Sequence, residues 1–140
     1  MASLTLCVGC ASHRLEHDFF FKNPPATRVE RFRQYSLDDE YRLFRYGNDK
    51  FEPPLTELAR PIAEKGYTVI PFLLGKLTPQ PDDTTVRDVL QIFETMGALK
   101  YYDVKSDKTI MDILRSRINS MKDAGWKTVS LQMLQRIQAD

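Results

Sequence analysis

Four side chains able to ligate a metal or carry redox chemistry crowd one short stretch near the N-terminus. Cys7, Cys10, His13 and His17 read as C-x2-C-x2-H-x3-H. Thiolate and imidazole are the ligands zinc prefers, so the cluster is an outside candidate for a metal site. Only two residues separate the cysteine pair from the first histidine, whereas a stable finger places a loop of about a dozen residues between its ligand pairs. A redox C-x-x-C would place Cys7 at a helix N-terminus after a strand to depress its pKa, and a polar segment follows instead. Incidental cysteines are the third reading, and no cofactor is expected.

His13 and His17 are the only histidines, and both precede the periodic part of the chain. General acid–base catalysis leans on histidine, so a Ser-His-Asp or Cys-His device is not expected, and the chain is read as non-catalytic. No Walker-type phosphate loop, dinucleotide glycine fingerprint, H-E-x-x-H or calcium loop occurs. The remaining candidates for acid chemistry are the carboxylate pairs Asp38-Asp39 and Asp82-Asp83. Both stand where helix N-termini favour negative charge, so capping is the expected role.

The apolar run Leu4-Thr5-Leu6-Cys7-Val8-Gly9-Cys10-Ala11, followed by polar Ser12-His13-Arg14, resembles the end of a bacterial lipoprotein signal, truncated here. The resemblance implies cleavage before Cys10 and lipid modification of that residue. Residues 1–10 then form the signal-like segment, 11–24 an extended tether, and 25–140 a single helical domain. The tether is expected to be extended because Leu15 to Pro25 lacks a helical period and ends in a Pro pair. Three adjacent aromatics, Phe19, Phe20 and Phe21, are expected to fold back onto the core or to contact a partner, with packing favoured.

At 140 residues one domain is the default, and 42% hydrophobic with 28% charged residues suits a globular core. Twenty Lys and Arg against 19 Asp and Glu leave a net charge of +1, which supplies no global field toward nucleic acid. The cluster Arg28, Arg31, Arg33, Arg42 and Arg45 is interleaved with Glu30, Asp38, Asp39 and Glu40, which makes it a solvated face. No nucleic-acid partner is expected.

Helical period recurs from Pro25 onward, predicting an all-α fold of short amphipathic helices. Pro25 opens a helix with Val29 and Phe32; Ser36 caps one with Leu37, Tyr41 and Phe44, stopped by Gly47-Asn48-Asp49. Pro53-Pro54 open a helix with Leu55, Leu58, Ala59 and Ile62, kinked at Pro61 and closed by a left-handed Gly66. Ile70, Leu73, Leu74 and Leu77 follow, then Val86, Val89, Leu90 and Phe93 behind an Asp83 or Thr84 cap. Ile110, Ile113, Leu114, Ile118 and Met121 form the next face. Trp126, Val129, Met133, Leu134 and Ile137 form the last, across an Ala124-Gly125 break. Leu99 to Val104 reads as an irregular connection, since a lone strand has no partner.

Gly66 to Leu77 followed by Asp82-Asp83-Thr84-Thr85-Val86-Arg87-Asp88-Val89-Leu90 resembles a HEAT-type helical repeat over residues 66–97, about one repeat length. Pro71, Asp82, Asp83, Val86 and Arg87 match that family's positions. The resemblance implies a helical hairpin, with Leu73, Leu74 and Leu77 against Val89, Leu90 and Phe93, and a shallow protein-binding face. An irregular helix bundle is the alternative arrangement. Tyr67, Lys76, Arg87 and Glu94 are the candidate partner-binding residues.

Three functions follow as expectations. The first is a lipid-anchored, periplasm-facing protein of the bacterial cell envelope whose helical domain binds an unidentified protein. The second is a soluble cytoplasmic adaptor of the same fold. The third is an enzyme using converging carboxylates.

Overall fold

The computed structural model describes residues 8–140, with side chains from Arg14 onward. Every regular element among them is helical: α1 (Val8–Lys22), α2 (Pro25–Phe32), α3 (Leu37–Lys50), α4 (Ala59–Ala63), α5 (Ile70–Lys76), α6 (Asp83–Ala98), α7 (Lys108–Asn119) and α8 (Ala124–Ala139). Short 3-10 turns lie at Thr56–Leu58, Gly66–Val69 and Val104–Ser106. The all-α expectation holds. The chain divides into two compact units, one ending at Leu58 and the other running from Ala59 to Asp140.

In the first unit the segment expected to be an extended tether is instead the body of α1. Its inward face carries Glu16, Phe19 and Phe20, all buried, at the i, i+3, i+4 spacing of a helix. An acid in that face hides the apolar period from the sequence. Arg42 on α3 neutralises it, donating from Nε and Nη2 to the two Glu16 oxygens at 2.6 and 3.0 Å. Pro24 and Pro25 end α1 and begin α2, where Pro25 sits at the first helical position and its missing N–H has no helical partner to lose.

The Phe triplet divides because consecutive helical residues point about 100° apart. Phe19 and Phe20 join the core, while Phe21 is 67% exposed. Phe19 lies edge-on to Phe32 and Tyr35, with ring centroids 5.9 and 5.8 Å apart, and Phe20 meets Tyr46 and Phe51. Ser36 caps α3 as expected, its hydroxyl oxygen accepting from the Asp39 N–H. Gly47-Asn48-Asp49 does not stop α3, which continues to Lys50. Gly47 is an inward position where a Cβ would stand 3.3 Å from Phe20 Cζ, so it serves close packing rather than termination. Arg28 and Arg42 also depart from the solvated arginine face: Arg28 is buried and donates to the Phe20 carbonyl.

In the second unit α6 is the central helix. Val86, Val89, Leu90, Ile92, Phe93 and Met96 are all buried, and a helix apolar on so much of its circumference needs neighbours on several sides. α8 and α4 are its main partners, with α5 and α7 contributing less. The expected packing of α5 on α6 is therefore present but secondary. Asp83 at the start of α6 bonds Lys122 and Asp123 at the start of α8, whereas Glu94 near its far end pairs with Arg136. The two helices therefore run parallel, with α7 returning between them. A Cβ on Gly66, just after α4, would stand 3.1 Å from the Tyr101 carbonyl oxygen, just after α6. Thus α4, α6 and α8 form a parallel layer of alternate helices.

The turn after α6 is a Schellman motif, in which Lys100 N–H bonds the Gly97 carbonyl and Tyr101 N–H bonds that of Met96. Lys100 occupies the left-handed position at φ 62, matching Gly66 at φ 61 after α4. The irregular reading of Leu99 to Val104 is correct. Pro61 does not kink a long helix; it lies within the single turn of α4, preceded by a 3-10 turn.

Candidate functional site

The candidate face of the second unit is built on α6 and α8. Asp82, not Asp83 or Thr84, is the N-cap of α6: its Oδ1 accepts from the Thr85 N–H at 2.7 Å and from the Thr84 hydroxyl at 3.0 Å. Asp83 reaches instead to the next hairpin, where its carboxylate accepts from the backbone N–H groups of Lys122 and Asp123 at 3.0 and 2.7 Å. Asp107 and Asp123 cap α7 and α8 in the same manner. The carboxylate pair Asp82-Asp83 borders a cavity of about 650 Å³ together with Arg117 and Lys122, and both acids in it already hold structural donors. A smaller cavity of about 330 Å³ lies at the other end of the layer, lined by Lys100, Tyr102, Asp103 and Asp140.

The Tyr102 hydroxyl donates to Asp107 at 2.7 Å. That bond, followed by the Ile110 N–H, holds the Asp107 carboxyl below its ordinary value, and the carboxylate in turn raises the Tyr102 phenol. Both shifts are those of a structural hydrogen bond to a helix cap.

The four residues expected to meet a partner lie on different elements. Tyr67, in the 3-10 turn before α5, is 72% exposed. Lys76, at the end of α5, places its ammonium 4.7 Å from the Phe72 ring centroid. Arg87 donates from Nε to Asp88 at 2.8 Å, and its guanidinium lies 4.7 Å from the Trp126 ring centroid. Glu94 accepts from Arg136 of α8, which raises the Arg136 pKa. Arg87 and Glu94 therefore fasten α6 to α8, one near each end.

Trp126 and Val129 were expected in the core and are 37% and 40% exposed. The reason is position: α8 is flanked by α6 and α7, so its buried stripe narrows to Ser130, Met133, Leu134 and Ile137. Sequence inspection passes over this stripe because Ser130, completely buried, stands at its centre. It also passes over the outward side of α8. The helix has two charged residues, and both turn back: Lys127 Nζ donates to the Asn119 carbonyl at 3.4 Å and Arg136 to Glu94. What faces water is Thr128, Leu131, Gln132, Gln135 and Gln138, a surface without charge.

In the first unit, Cys7 lies outside the described residues, and of Cys10 and His13 only the α1 backbone is described. The lipidation and metal expectations at these positions fall there. His17 is exposed on α1, its ring 5.2 Å from that of Phe21 and its Nδ1 3.6 Å from Asp18. No group of three metal-binding side chains occurs among the described residues. Nor is any helix among them long and apolar enough to cross a membrane. Comparison with family models, with curated proteins and with solved structures finds no match.

Proposed function

We propose that the chain is a non-catalytic, lipid-anchored protein of the bacterial cell envelope, facing the periplasm, whose helical layer binds another protein. The observation that carries the binding part is the outward side of α8, where Thr128, Leu131, Gln132, Gln135 and Gln138 carry no charge and Trp126 and Val129 stand exposed beside them. A terminal helix left in water normally carries charge there, and protein interfaces are depleted of charge at their centres while enriched in aromatics. Stacking of alternate helices α4, α6 and α8 supports the HEAT-like reading, in which such a layer offers its free end or flank to a partner. Tyr67 adds an exposed aromatic, while Arg87 and Glu94 serve binding by holding α8 in place.

The anchor rests on the residues around Cys10. Its test is the mass of the N-terminal peptide from protein expressed with its native upstream sequence and recovered from membranes. Acylated Cys10 as the first residue is the expected result; an unmodified start in the soluble fraction supports the cytoplasmic adaptor instead. For the binding face, a photo-crosslinking residue at Leu131 should give one discrete protein adduct in cells, lost on Gln135→Glu. A crosslinker at Glu30 on α2 should give none. Equal labelling from both positions would refute the α8 face.

A further inference from the structure

We propose that α1 lies flat along an anionic bilayer, with Phe21 inserted among the lipids beside the acyl anchor at position 10. This rests on the lipid-anchor reading above and adds to it an orientation and a contact surface.

The geometry follows from helical register. α1 runs without interruption from Val8 to Lys22, so position 10 belongs to the same helix as Phe21. At about 100° per residue, positions 10, 14, 17 and 21 fall within a stripe about 60° wide. Arg14, His17 and Phe21 occupy that stripe, with Arg14 81%, His17 65% and Phe21 67% exposed. Phe19, about half a turn away, is completely buried. The face bearing the anchor position is therefore the face turned from the core.

Nothing flexible separates anchor and fold. Buried Glu16 is held by Arg42 of α3, and Phe19 by Phe32 and Tyr35. A chain acylated at position 10 consequently brings the whole stripe with it, and Phe21 arrives roughly 16 Å along the helix axis from the anchor.

The chemistry of the stripe suits an anionic lipid surface. Phe21 and the His17 ring against it provide an apolar and amphipathic contact, flanked by the cations Arg14 and Lys22. Asp18 pairs with both, at 3.8 and 2.9 Å, so the two cations and one carboxylate leave a fixed charge of +1 before His17 is counted. Interfacial helices bind through this combination of inserted aromatic and peripheral cations, and one acyl chain alone anchors only marginally.

The test uses the full chain with Cys7→Ser and Cys10→Ser, so that no acylation contributes, and vesicles of phosphatidylglycerol at low salt. Partition is expected, falling about tenfold on Phe21→Ser and staying unchanged on Tyr67→Ser, an equally exposed aromatic elsewhere. In a Trp126→Phe background, Phe21→Trp should shift its emission to the blue and be quenched by brominated acyl chains. Trp126 in the otherwise native chain should not be quenched. Absence of partition, equal partition of the Phe21→Ser variant, or quenching at Trp126 alone overturns the proposal. The N-terminal mass measurement fails or succeeds independently, so loss of the anchor reading and loss of this orientation are told apart.

Discussion

Replacing Asp83 by alanine separates a structural carboxylate from a chemical one. Asp83 is the second acid of the pair that borders the larger cavity, and its carboxylate accepts from the Lys122 and Asp123 N–H groups at 3.0 and 2.7 Å. Those donors are the otherwise unsatisfied groups just ahead of α8. Charge-assisted hydrogen bonds contribute about 1.5–3 kcal/mol each in protected sites and less where water can replace the acceptor. Both bonds lie at the surface, so the lower end applies, and favourable interaction with the helix N-termini adds about 0.3–1 kcal/mol. The expected loss is about 2 kcal/mol, or a fall in Tm of roughly 5–10 °C for a chain of this size. Asp82→Ala, which removes the α6 cap, should cost about 1 kcal/mol. Urea titration followed by circular dichroism, with thermal melts alongside, measures both. A Tm for Asp83→Ala equal to or above that of the parent would refute the structural assignment. It would also revive a carboxylate-dependent enzyme, since active-site groups often oppose stability.

Three further outcomes follow from the same geometry. Glu16→Ala leaves the Arg42 guanidinium without its bidentate partner and should destabilise the first unit by about 2 kcal/mol, between the values for surface and buried pairs; a double-mutant cycle with Arg42→Ala in urea should return most of it as coupling. Gly66→Ala places a methyl 3.1 Å from the Tyr101 carbonyl at φ 61 and should cost about 1–2 kcal/mol, while Lys100→Gly relieves the equivalent strain and should raise Tm; equal effects of the two in calorimetry would contradict the assigned turns. Asp107 has a folded pKa below its ordinary 3.8, so its contribution is complete above that value and disappears as pH falls through the lowered one. Tm measured between about pH 2 and 5 should decline, and less steeply in Asp107→Asn. The raised Tyr102 has the opposite sign: its contribution is present below its ordinary 10.0 and lost as pH rises through the raised value.

Much of the helical layer was legible because its buried residues are apolar and regularly spaced. Val86, Val89, Leu90 and Phe93 of α6, and Ile110, Leu114 and Ile118 of α7, are buried as their spacing predicts. The left-handed Gly66 and the Ser36 cap could be read because each rests on a local backbone need that one residue type meets well. Legibility failed where a polar residue stood in an inward face. Glu16 in α1 and Ser130 in α8 each interrupt the apolar pattern, and what makes them tolerable or central lies elsewhere in the chain or in the packing of the helix.

Local sequence by itself determined that the chain is helical, where most helices begin, and that acids precede them, because periodicity and capping act within about four residues. Tertiary structure decided the rest. Arg42 lies 26 positions from Glu16 and turns an expected tether into a docked helix. Arg136 lies 42 positions from Glu94 and withdraws charge from the face of α8. Phe21 differs from Phe19 and Phe20 only in the direction it points, which is set by the helix they share and by the core that holds two of them. Pairing, burial and facing are properties of distance in space, and a linear pattern carries them only where both partners announce themselves.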